Sequence, residues 1–229
     1  MDRAAWIKER RRIGEERMDT LWAPIYDEHW GATIDPTHRR MVGRFLALSP
    51  SGARILDAAC GTGKYWPLLL GDGRSLRGID QSGGMLRQAQ RKFPNVPVEK
   101  LGLQELADEQ AFDGIICVDA MELVSPEDWP RVLANFHRAL KSRGLLYLTV
   151  ELPEPDLPEV FRAAVEAGLP LVEGEYIKEG GYHYYPAIEQ VRTWVDAAGF
   201  DILEEVVGDG YHHFLMQLSR HPLRPPHAA

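Results

Sequence analysis

Apolar and polar positions follow a strand–helix rhythm through the middle of this chain. The apolar runs Ala53–Ala58, Ser75–Asp80, Val96–Lys100, Phe112–Val118 and Gly144–Glu151 predict strands. Helical spacing between them predicts helices near 64–70, 83–93 and 127–141. Such alternation builds a parallel sheet with right-handed crossovers and helices on both faces. Ahead of it, residues 36–48 predict a helix with Asp35 as N-cap and Pro36 in its first turn. Residues 2 to about 20 read as a charged amphipathic helix whose apolar members include Trp6, Ile7, Ile13, Met18, Leu21 and Trp22. After Glu151 the rhythm breaks. Residues 152–186 are rich in Pro, Gly, Glu and Tyr, with one helix expected at 157–167, and suit a substrate lid. A helix at 187–198, a Gly199 stop, and strands 200–207 and 211–219 around Gly208-Asp209-Gly210 predict a closing antiparallel hairpin. The expected organisation is a helical cover at 1–50, a domain at 51–219 that includes the lid, and a frayed tail at 220–229.

Composition narrows the function classes. The 229 residues are 45% hydrophobic and 26% charged, ordinary for a soluble globular domain. A net charge of -8 disfavours nucleic acid as a partner. Cys60 and Cys117 sit in or beside apolar runs and make no disulfide framework. The N-terminus has no apolar signal core and no run approaches a bilayer span, so a cytoplasmic protein without membrane contact is expected.

Candidate chemistry concentrates at Ile55-Leu56-Asp57-Ala58-Ala59-Cys60-Gly61-Thr62-Gly63-Lys64-Tyr65, where a predicted strand delivers a Gly-rich turn to a helix start. Asp80 closes the next strand, a spacing that suits a carboxylate gripping ribose hydroxyls. Strand-end or helix-cap roles are the plainer alternative for Asp57 and Asp80.

The ordered set of motifs resembles the class I S-adenosylmethionine-dependent methyltransferases of small-molecule type. It comprises the turn at 56–63, the acidic Gly78-Ile79-Asp80-Gln81-Ser82-Gly83-Gly84-Met85-Leu86, Phe112–Asp119, Leu133–Gly144 and Ala197-Ala198-Gly199-Phe200. The resemblance covers about 20 to 219 and implies a seven-stranded doubly wound Rossmann-like sheet: five parallel strands, then the hairpin. Two departures stand out: Ala59 where the family has glycine, and Arg143-Gly144 where it has Pro-Gly. The resemblance implies S-adenosyl-L-methionine as cofactor. Ala59 and Gly61 would meet its methionine part, Asp57 would orient the turn or reach the amino group, and Asp80 would accept both ribose hydroxyls. Gln81 and Met85 would flank the adenine, Leu103 and Gln104 would cover it, and Asp119 and Ala120 would face the sulfonium. Tyr26 would point at the sulfur and Trp30 would wall the pocket. Trp22, Tyr26 and Trp30, four residues apart, equally suit a packing stripe.

Methyl transfer is an in-line displacement, so positioning carries much of the acceleration. A hydroxyl acceptor profits from a base, commonly His. His183 in the lid, His29 in the cover and His212 at the last strand are the candidates; Tyr182, Tyr184 and His213 are candidates for substrate contact. At most one of His212 and His213 is expected to face the pocket, since successive strand residues alternate. No tight metal-ligand spacing occurs. The expected function is methyl transfer to O, N or C of a small, apolar or aromatic metabolite, by a monomer or homodimer. The alternatives are a nicotinamide-dependent oxidoreductase, whose third glycine position holds Trp66, and a non-catalytic cofactor-binding protein.

Overall fold

The computed structural model describes residues 2–31, 33–178 and 180–219; the expected tail lies outside them. The chain opens with α1 (Arg3–Arg17), then two π-helical turns, Met18–Trp22 and Asp27–Gly31, then α2 (Pro36–Leu48). The strand–helix rhythm follows as β1 (Arg54–Ala58), α3 (Trp66–Leu69), β2 (Ser75–Asp80), α4 (Gly83–Lys92), β3 (Val98–Lys100), β4 (Phe112–Cys117), α5 (Trp129–Ala139) and β5 (Leu140–Glu151). The segment expected as a lid holds α6 (Leu157–Glu166) and the strands β6 (Glu175–Lys178) and β7 (Gly181–Tyr184); α7 (Ile188–Ala197), β8 (Phe200–Gly208) and β9 (Tyr211–Leu218) follow it.

The sheet runs β3-β2-β1-β4-β5-β9-β8. The first five strands are parallel; β9 lies antiparallel to β5, and β8 to β9. Successive β1 side chains serve opposite faces. Leu56 and Ala58 pack with Ile115, Cys117 and the α5 residues Val132 and Phe136. Ile55 joins Phe45, Trp66 and Leu69 on the other face. Burying each of the large side chains contributes about 1.5–3 kcal/mol. Both faces are covered, so the parallel strands read as apolar runs rather than alternating ones.

Element boundaries moved where turn chemistry intervened. The helix expected to 141 stops at Ala139, and β5 starts at Leu140 rather than Gly144. Arg143 takes φ 61° there, and the β4–β5 register shifts between Phe112 and Gly114. The bulge absorbs the kink and lets helix run directly into strand. The helix expected at 64–70 shortens to α3 because Gly61 and Gly63 hold φ 54° and 78° in the preceding turns. Asp35 occupies the α2 N-cap without a capping bond; Asp209 Oδ2 instead accepts from the Thr37 amide at 2.6 Å. The lid is more ordered than its composition suggested, because Glu175–Lys178 and Gly181–Tyr184 pair as an antiparallel ribbon. Among the described residues, no helix is long and apolar enough to cross a membrane.

Candidate functional site

The carboxyl ends of the parallel strands carry the polar chemistry, as open α/β sheets place it. β1 ends in the Gly-rich turn. Ala59 enters that turn at φ 64°, a left-handed conformation that favours glycine. A Cβ built on Gly61 meets nothing within 4 Å, so the space beside the turn is open, whereas one on Gly63 falls 2.8 Å from the Trp66 ring. β2 ends in Asp80. Its Oδ2 accepts from the Gly61 amide and its Oδ1 from the Ser82 amide, both at 2.8 Å. A carboxylate has about four lone-pair sites, so each oxygen retains acceptor capacity. Burial pushes the Asp80 carboxyl up to about 6 against the pull of these two amides.

Beyond β4, Asp119 sits at φ 53°, a strained position for a residue with a side chain. Its amide donates to Thr149 Oγ1 at 2.8 Å, and its carboxylate meets His38 Nε2 at 3.1 Å and the Tyr65 hydroxyl at 3.2 Å. β5 ends in Glu151, paired in register with Tyr211.

Two cavities share the wall formed by Arg11, Met18, Tyr26, Gln81, Gln104 and Asp119. The smaller, about 110 Å³, is a slot between Asp80, Met85, Leu103 and Ala120, with Ala59 at its edge. Asn135 fixes the slot's far wall: its buried amide donates to the Leu103 and Gln104 carbonyls at 3.0 and 3.1 Å. The Gln104 amide nitrogen donates to Asp128 Oδ2 at 3.2 Å. The larger cavity, about 470 Å³, is lined by the rings of Trp22, Tyr26, Trp30, Tyr176, Tyr182, Tyr185 and Tyr211. Its acidic members include Glu122, Glu151 and Glu154. Burial and the neighbouring Glu154 and Asp119 charges push Glu151 up to about 7, and burial with Glu151 and Asp119 raises Glu122.

The N-terminal segment covers both cavities and is tied down by polar contacts. Asp19 Oδ1 accepts from the Ser82 hydroxyl at 2.5 Å and the Gly84 amide at 2.8 Å, at the α4 N-terminus. Asp27 accepts from Thr62 Oγ1 at 2.6 Å and pairs with Lys92 at 2.8 Å. Arg11 pairs with Glu105. Arg3 grips Glu175 of β6 at 2.8 and 3.0 Å, where the Tyr182 hydroxyl also donates at 2.7 Å.

Most of the expected cofactor residues therefore share one region. Tyr26, Ala59, Asp80, Gln81, Met85, Leu103, Gln104, Asp119, Ala120 and Trp30 all line one cavity or both. Asp57 does not. It is buried, accepts from the Trp66 indole at 2.8 Å, and burial pushes it up to about 7. Gly61 lines neither cavity and acts through its amide bond to Asp80. Trp22, Tyr26 and Trp30 form a ring cluster, with centroids 5.1 Å apart for Trp22–Trp30 and 5.5 Å for Tyr26–Trp30. They are thus a packed stripe and a cavity wall at once.

The histidines sort differently from expectation. His183 lines the larger cavity, and burial pushes its imidazole down toward the neutral form. His29 is exposed on the cover, with Nδ1 on the Ile25 carbonyl at 3.0 Å, away from both cavities. His212 turns to the other face and meets Glu205 at 3.3 Å. His213 is a satisfied core residue, bonded to the Tyr147 hydroxyl and the Gly208 carbonyl, each at 2.9 Å. Tyr184 packs into the core while Tyr182 reaches the cavity. The pocket residue of the last strand is Tyr211, one position ahead of the histidine pair. Sequence reading also missed Glu122, Glu151, His38 and Asn135. Glu151 had a signal, being an acid at a strand's carboxyl end; Glu122 had none. Trp66, in the place of a dinucleotide fold's third glycine, fills that space with a buried ring, which disfavours the nicotinamide alternative.

The comparisons with known proteins agree with this geometry. A family model described as a methyltransferase domain matches residues 55–144. Methyltransferase-like protein 27 of Homo sapiens is 32% identical over 167 residues, covering 69% of this chain and 66% of that protein. A ubiquinone biosynthesis O-methyltransferase of Xanthomonas axonopodis pv. citri is 28% identical over 173 residues, covering 70% of this chain and 67% of its own length. The chain thus spans about two thirds of the length of these relatives. The magnesium protoporphyrin IX methyltransferase of Synechocystis PCC 6803, solved with bound S-adenosylmethionine, shares the fold at a TM-score of 0.64 and 17% identity, over 91% of this chain and 95% of that one. Motifs, sheet order and relatives converge on one conclusion: the chain belongs to the class I S-adenosylmethionine-dependent methyltransferases.

Proposed function

We propose that this methyltransferase acts on a small molecule with an apolar or aromatic body, bound in the larger cavity. The cofactor residues fit their group. Asp80 keeps acceptor capacity for two vicinal hydroxyls, Gln104 lines the slot with an amide that can accept from an exocyclic amine, and the space beside Gly61 is open. S-adenosylmethionine supplies there a methyl group activated by its sulfonium. The chain's own residues position and enclose. Tyr26 and Asp119 stand on the wall common to both cavities, where the acceptor and the donor's methyl end would meet. The ring-lined walls exclude water and present flat apolar faces to the acceptor.

The observation that carries this reading is the cavity of about 470 Å³ adjoining the slot and walled by seven tryptophan and tyrosine side chains. A net charge of -8 fits a small molecule better than a polyanion. The test offers donor labelled at the methyl group with fractionated small molecules, bulk RNA and protein in parallel. Label in the small-molecule fraction alone supports the reading; label only in RNA or protein sinks it.

A further inference from the structure

We infer that the methyl acceptor is an amine that arrives as an ammonium cation and is received by the carboxylates of Glu122 and Glu151. This rests on the small-molecule reading above and names the acceptor's chemistry. Glu122 lines the larger cavity yet is only 7% exposed, and its Oε2 has no hydrogen-bond donor. Glu151, on the same cavity wall, likewise has an Oε2 without a donor. Two buried acceptors left open are costly unless something outside the chain satisfies them.

No cation of the described residues pairs with either. Arg10, Arg11, Arg17 and Lys64 also line the cavity, but Arg11 is engaged by Glu105, and the charges acting on Glu122 are the negative ones of Glu151 and Asp119. An ammonium group matches this end in charge, in donor count and in the aromatic faces around it, since Tyr182, Tyr185 and Tyr211 can face a cation with their rings. A neutral hydroxyl or a carboxylate acceptor would satisfy one oxygen at most or be repelled.

The raised carboxyls then have a use. A cation placed beside them favours their charged forms, and binding and protonation are linked in both directions. A carboxylate that titrates near 7, as Glu151 does, is matched to taking a proton at neutral pH. Transfer of one proton breaks an N–H bond, forms an O–H bond and leaves the electron pair on nitrogen. That pair makes the new N–C bond, while the pair of the broken C–S bond stays on sulfur.

The test titrates paired probes into the protein saturated with S-adenosylhomocysteine: butylamine against butanol, benzylamine against benzyl alcohol, 2-phenylethylamine against 2-phenylethanol. At least one amine is expected to bind roughly tenfold tighter than its alcohol, the scale of one charge-assisted hydrogen bond. Glu122→Gln and Glu151→Gln should each cut that preference to about threefold or less. Glu151 is the less buried of the two, so its variant keeps the test open should Glu122→Gln fail to fold. Alcohols binding as well as amines, no probe binding at all, or a preference that survives in both variants overturns the inference. S-adenosylmethionine affinity is measured alongside. If the donor fails to bind while the amine preference holds, the methyl-transfer reading fails and the cation site stands.

Discussion

The Gly61 amide donates to Asp80 Oδ2 at 2.8 Å, which makes the turn after β1 and the end of β2 one polar unit. Removing the carboxylate therefore acts twice. Asp80→Ala deletes the acceptor proposed for the ribose and also frees the turn that would hold the methionine arm. Cofactor binding should weaken by about 1.5–3 kcal/mol, the scale of hydrogen bonds to a charged group, and the melting temperature should fall. Calorimetric titration showing unchanged affinity would falsify the ribose assignment.

Ala59 holds φ 64°, a left-handed conformation that costs a residue with a Cβ. Ala59→Gly releases that strain at the cost of a more flexible unfolded chain, and the balance favours glycine at positive φ. A gain of about 0.5–1 kcal/mol is expected in chemical denaturation. A loss would mean that the methyl group's packing outweighs the backbone term.

Asp57 sets a pH dependence of stability. Its carboxyl is buried against Trp66 and pushed up to about 7 from an ordinary value near 3.8. Between those values the native state holds a proton that the unfolded chain has released. Stability must then fall as pH rises through this window and level off above it, by at most about 4 kcal/mol. Asp57→Asn should flatten the slope by this share, leaving what the raised carboxyls of Asp80, Glu122 and Glu151 contribute with the same sign; if both proteins show the same profile from pH 4 to 7, Asp57 has no part in it.

Glu175 has no exposure and serves Arg3, the Tyr182 hydroxyl and the Val172 amide together. Glu175→Ala leaves those donors without their acceptor, a loss of about 3–5 kcal/mol for a broken buried pair. The expected readout is faster hydrogen exchange across β6 and β7. Protection equal to the parent protein's would show that apolar packing alone holds the lid.

His183→Ala should lower turnover on the true acceptor while leaving cofactor affinity nearly intact, because His183 lines the larger cavity and not the slot. Steady-state kinetics with unchanged kcat and KM would remove it from the chemistry.

Much of this was legible before the coordinates. The parallel strands are apolar on both faces, and Asp80 ends one of them next to a Gly-x-Gly turn, so periodicity and spacing located the slot. His183 lines the larger cavity as expected, but His213 does not, because alternation on a strand says which residues share a face, not which of them reaches its rim: Tyr211 reaches it and His213 is spent on Tyr147 and Gly208. Asp57 looked like a ligand because its partner, the Trp66 indole, is brought to it only by the turn between them. Glu122 gave no local sign, since what sets it apart is an oxygen left open in three dimensions.

The strap of residues 3–31 is fastened by the side chains of Arg3, Arg11, Glu15, Asp19 and Asp27. A donor seated in the slot would lie beneath this strap, whose Arg11, Met18 and Tyr26 line both cavities. Added salt, which weakens charged fastenings, should then quicken the exchange of donor for product, read as a faster off-rate for S-adenosylhomocysteine.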